Sequence, residues 1–134
     1  MFALGLFGKK PQNPQEETAE PVTMNRLQEI AGSDAEMYRS LSHTLFLEPK
    51  RITITLETVL SQATEFELKG DRIRAELWYR IAGGISLYRA DVAGVRKYFD
   101  KAASIAGDSK PEYSVLARRP EDAVSLSGKF YGNM

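Results

Sequence analysis

From Thr23 onward, apolar residues recur three and four positions apart, the spacing that collects them on one face of a helix. Met24, Leu27, Ile30 and Ala31 form a first short stripe, which Gly32 stops. Ser33-Asp34-Ala35-Glu36 has the spacing of a capping box, with Ser33 accepting from the Glu36 amide and Glu36 reaching back. The helix it opens carries Tyr38, Leu41 and Leu45 on one face, and Pro49 is expected to end it.

Ile52-Thr53-Ile54-Thr55-Leu56 alternates like a strand, yet it runs straight into Leu56, Val59, Leu60, Ala63 and Phe66 at helical spacing. No second strand offers itself as a partner, and a lone strand is unstable. The pattern therefore predicts one helix starting within residues 50–55. Lys69-Gly70-Asp71 closes it, and Asp71 caps the next. That next helix, Arg72 to Arg89, has two apolar stripes: Ile73, Leu77, Ile81, Ile85 and Tyr88, and Ala75, Trp78, Tyr79 and Ala82. A helix apolar on both flanks is expected at the centre of a bundle. Gly83-Gly84 in its middle costs ~1 kcal/mol per glycine relative to alanine, which points to close approach by another helix. Asp91 caps a further helix with Val92, Val95, Phe99, Ala102 and Ala106 in a stripe, closed by Gly107. Pro111 and Pro120 each open a short helix, with acids following. The tail from Ser127 is expected to be irregular.

Four parts follow along the chain: an apolar N-terminal segment (1–8), a linker (9–22), a helical domain (23–127) and a tail (128–134). The linker, KKPQNPQEETAEPV, has three prolines and no periodic apolar face, so it cannot offset its own ordering entropy. The first eight residues carry Phe2, Leu4, Leu6 and Phe7, followed by Lys9 and Lys10. A secretory signal has the opposite order, positive before apolar, so secretion is not expected. No run of ~18 apolar residues is present to span a membrane.

The chain has 134 residues, a size suited to one domain. It has no cysteine, which removes disulfides, thiolate zinc sites, iron–sulfur clusters and cysteine nucleophiles together. A reducing, cytoplasmic setting fits that composition, with a location beside a membrane as the variant. Lys plus Arg equals Asp plus Glu at 18 each. Within residues 71–110, however, eight basic residues face five acidic ones.

The sequence carries no recognisable catalytic, metal or cofactor-binding apparatus, and none of the three is expected. His43 stands alone and beside a buried stripe, where a partly buried, hydrogen-bonded role is expected. Glu65 and Glu67 face different sides of their helix, while Glu57, Asp71 and Glu76 each stand near an arginine or a helix start. Gly107-Asp108-Ser109-Lys110 and Ser127-Gly128-Lys129 lack the spacing of a phosphate loop.

Ala63, Phe66, Gly70, Ala75, Tyr79 and Ala82 together resemble one tetratricopeptide (TPR) hairpin over residues 56–82, with Val59 where an aromatic is usual. A hairpin plus one helix is also similar to the microtubule-interacting-and-trafficking (MIT) domain. The fold implied is an all-α antiparallel bundle of about five main helices with TPR-like packing. Both families bind segments of other proteins, so the resemblance implies a non-enzymatic interaction or scaffold module with a protein partner. The outward face of the first hairpin helix, Glu57, Leu60, Thr64 and Glu67, is then the expected site. Phe2, Leu4, Leu6 and Phe7 form a second candidate, an apolar hook for self-association, for a partner or, through residues 1–10, for a membrane surface. The alternative function is a membrane-peripheral or nucleic-acid-associated accessory protein using the Arg-rich 72–101 segment. Nucleic acid is the less expected partner, because the aromatics there are spaced for a core.

Overall fold

The computed structural model describes residues 26–44 and 53–132, and all regular structure among them is helical. Residues 26–31 form a helical turn and a half. They are followed by α1 (Ala35–Thr44), α2 (Leu56–Leu68), α3 (Arg72–Tyr88), α4 (Val92–Ala106), a 3-10 turn (Gly107–Ser109), α5 (Pro111–Arg118) and α6 (Pro120–Tyr131). The fold is the all-α bundle that the spacing predicts. Phe2, Leu4, Leu6, Phe7, the 9–22 linker, Leu45, Pro49 and Ile52 lie outside the described residues.

α2, α3 and α4 pack in sequence order as a row, and their tight turns oblige neighbours to run antiparallel. α5 lies on α4, α1 lies on α5, and α6 crosses α3 and α4. The main core fills the space between them, with Leu27, Met37, Leu41, Phe99, Tyr113 and Leu116 withdrawn from water. A smaller cluster of Val59, Ala82 and Ile85 holds the first hairpin together. α2 stands at the end of the row and packs chiefly on α3.

Small residues set the crossings. Ala63 on α2 and Ala75 and Ala82 on α3 are fully buried. Gly83 makes room for α4: a Cβ there would stand 2.6 Å from the Phe99 ring. On the other helix, a Cβ on Gly94 would stand 2.5 Å from Ser86 Oγ. The mid-helix glycine is thus a packing device.

Four expectations need correction. Asp34, not Ser33, caps α1: its carboxylate accepts from the Met37 amide at 3.2 Å. Glu36 does not reach back: Arg118 and Arg119 donate to it at 3.1 and 3.0 Å, and pairing with two guanidinium groups outcompetes a bond to one backbone amide. α2 begins at Leu56, one residue beyond the expected window, because the Thr55 side chain accepts from the Thr58 amide and fixes the cap there. Thr53 and Ile54 precede the helix without pairing as strand. The apolar stripe from Ile73 is not buried along its length: Ile73 is 82% exposed and Leu77 41%, and cover begins only at Ile81 and Ile85, where Tyr98 and the start of α2 pack. Finally, α6 continues through Ser127 and Gly128, both buried, to Tyr131, and ends at Gly132 with φ 77°. Tyr131 meets Tyr88 edge-on at 5.1 Å, and this contact draws the tail into the fold. Burial, with the Tyr88 ring beside it, pushes the Tyr131 phenol up to about 12.

Candidate protein-docking face on the first hairpin

The Thr55 cap fixes the phase of α2, and Val59 and Ala63 turn into the hairpin. The opposite side is left as an open groove lined by Glu57, Leu60, Ser61, Thr64, Glu65, Leu68 and Lys69. Three of the four expected docking residues on this helix, Glu57, Leu60 and Thr64, therefore share one surface. Leu60 also touches the hairpin core from its flank.

Glu67 stands apart from the groove. Tyr79 Oη donates to it at 2.7 Å, and Lys101 Nζ lies at 3.1 Å. The carboxyl is held below its ordinary value, first by the Tyr79 hydroxyl and then by the Lys101 ammonium. Burial pushes the Tyr79 phenol up, and its bond to Glu67 adds to the rise. Lys101 moves up through its bond to Glu67 and also lies 5.4 Å from the centre of the Tyr79 ring. Glu67 thus ties α2 to α3 and α4.

The groove is partly apolar, and Leu68 at its end is one of three large exposed apolar side chains. Leu68 is 83% exposed, and Ile73 and Leu77 continue the exposure beyond the Lys69-Gly70-Asp71 turn. Leu68 closes a helix and Ile73 opens the next, so either fits a buried stripe by spacing alone; which neighbour reaches them is decided by the packing of other helices. Lys69 forms an ion pair with Glu65 at 3.0 Å, one helical turn back. Glu57 has no ion pair among the described residues.

Several other polar groups hold helices together. Glu76 accepts from Tyr113 Oη at 2.9 Å and from Lys110 Nζ. Burial, reinforced by Glu76, drives the Tyr113 phenol well above its ordinary range. Arg119 binds Asp34, Glu36 and Asp122 together, and its hydrogen bond to Asp34 is the largest cause of that carboxyl's lowered value. His43 is more exposed than expected, at 57% of its side chain, because it points past the stripe to Glu112 at 3.2 Å.

Much of the basic charge in residues 72–101 is likewise engaged. Arg72 donates to the Ile105 carbonyl, Arg74 pairs with Asp71, Arg96 lies 3.7 Å from Glu121 and Lys101 pairs with Glu67. Among the described residues no group of three metal-ligating side chains converges, and no helix is long and apolar enough to cross a membrane. Compared with family models, curated proteins and solved structures, the chain has no match.

Proposed function

We propose that the chain is a non-enzymatic helical interaction module whose TPR-like first hairpin docks a protein on the outward face of α2. One observation carries this: Leu68 and Ile73 stand 83% and 82% exposed at the α2–α3 turn, while the inner side of the same hairpin is closed by Val59, Ala63, Ala75 and Ala82. Exposed leucine and isoleucine beside a groove with charged edges gain from being covered, and a protein surface supplies that cover. α2 opens at Leu56 and α4 at Val92, roughly one TPR period of ~34 residues apart, which supports the repeat-like reading of the row. Glu67, Glu76 and Tyr113 are committed to bonds between helices, which favours a binding role over a chemical one.

The test is a photo-crosslinking side chain placed at Thr64 in the full chain. Irradiation in the native cell is expected to give a covalent adduct with a protein, and Leu68→Glu is expected to diminish it while the circular dichroism stays helical. Absence of any protein adduct at Thr64 would overturn the docking role.

A further inference from the structure

Resting on the docking role assigned to this face, we propose that its partner is a second copy of the chain, paired antiparallel through α2 about a two-fold axis passing between Ser61 and Thr64. The charge order along the helix favours that partner. Glu57 stands in the first turn and Lys69 at the C-cap, about 18 Å apart along the axis. Antiparallel pairing sets each Glu57 against the Lys69 of the other copy, giving two identical contacts of opposite charge. Parallel pairing would set Glu57 against Glu57 and Lys69 against Lys69. The face is therefore complementary to itself in one orientation, as an isologous interface requires.

The middle of the face suits the same geometry. Ser61 and Thr64 carry short side chains there, so two helix axes can approach to the usual 8–10 Å or so. Each Leu68 then comes over the opening turn of the other copy's helix and leaves water. Among the described helices α2 ends the row and packs chiefly on α3, which leaves its outward face to this neighbour. One helix face buries less than the ~1,000 Å² expected of a durable interface, so the dimer is reversible and concentration-dependent. Lys69 keeps its bond to Glu65 and gains Glu57 of the other copy, so no charge is left buried alone.

Sedimentation equilibrium of the full chain tests the pairing through charge exchange. Glu57→Lys and Lys69→Glu, each alone, place like charges at both ends of the pair and are expected to weaken dimerisation about tenfold, in step with two exposed ion contacts. Mixing the two variants restores opposite charges at both ends, so the mixture is expected to dimerise about as tightly as the parent and more tightly than either variant alone. Circular dichroism of each variant confirms that the bundle stays folded. A parent that remains monomeric throughout, or a mixture that fails to recover, overturns the second-copy proposal. If the Thr64 adduct nevertheless forms with a different protein, the docking role stands and only the choice of partner fails. If dimerisation is lost in Leu4→Ser/Phe7→Ser and untouched by the charge variants, the N-terminal segment is the occupant and α2 self-pairing is refuted.

Discussion

The hairpins α2–α3 and α3–α4 are joined by turns of the same geometry but are built from small residues in opposite places. In the first, Gly70 takes the left-handed position with φ 77°; in the second, Ala90 takes it with φ 58°. Both turns close with the same bonds: Asp71 N–H donates to Phe66 O and Asp91 N–H to Ser86 O, each at 2.9 Å. Both aspartates then cap the next helix, accepting from the Arg74 and Gly94 amides at 3.2 and 3.0 Å. The helix interfaces reverse the assignment. α2 and α3 carry the buried alanines Ala63, Ala75 and Ala82, whereas α3 and α4 meet over Gly83 and Gly94. Where an added Cβ would collide with the facing helix, glycine is needed inside the interface, and the turn beside it tolerates alanine at a cost of ~1–2 kcal/mol. The Schellman bonds and the aspartate cap are sufficient to hold that turn in shape.

The sharpest way to break this contrast is to add atoms at each crossing. Gly83→Ala is expected to lower stability by about 1–3 kcal/mol, because the buried Phe99 ring must move. Its cost should fall in a Phe99→Leu background, and urea melts of the two single variants and the double variant measure that coupling. Ala75→Leu is expected to cost a similar ~1–3 kcal/mol at the other crossing, where the methyl is fully buried. An unchanged melting temperature for Ala75→Leu would mean that the first hairpin is looser than the second.

The turns give smaller and opposite effects. Gly70→Ala is expected to destabilise by about 1–2 kcal/mol, through backbone strain alone, since nothing stands within 4 Å of the added Cβ. Ala90→Gly is expected to stabilise by up to ~1 kcal/mol, the relief of the left-handed alanine being partly offset by a freer unfolded chain. Thermal melts of the pair decide whether the two turns are equivalent.

The smallest expected effect separates the hairpins by pH. Glu67 ties the first hairpin to α4, and its folded carboxyl titrates below its ordinary value of 4.5. A depressed carboxyl contributes stability above its unfolded pKa, and that contribution is lost as pH falls through the folded one. Glu67→Gln should therefore lower the melting temperature slightly at neutral pH and flatten its fall under acid. A parallel fall for parent and variant between about pH 5 and pH 2 would remove Glu67 from that role.

By itself the sequence determined the helical class, the caps at Asp71 and Asp91, the glycine stop at Gly70 and the small residues of the first crossing. These depend on neighbours within a turn or two, and local spacing carries such information. Three of the groove residues, Glu57, Leu60 and Thr64, follow from the phase of one helix, and so were legible as well. Tertiary structure alone decided that Glu67 leaves that surface for Tyr79 and Lys101, that Asp34 and Glu36 meet Arg119, and that Ile73 stays exposed while Ile85 is buried. It also decided that Ser127 to Tyr131 form part of the bundle, through the contact of Tyr131 with Tyr88. In each case the outcome depends on a side chain supplied by a helix distant in sequence. An apolar stripe states what a helix can bury, and only the arrangement of its neighbours determines how much of it is covered.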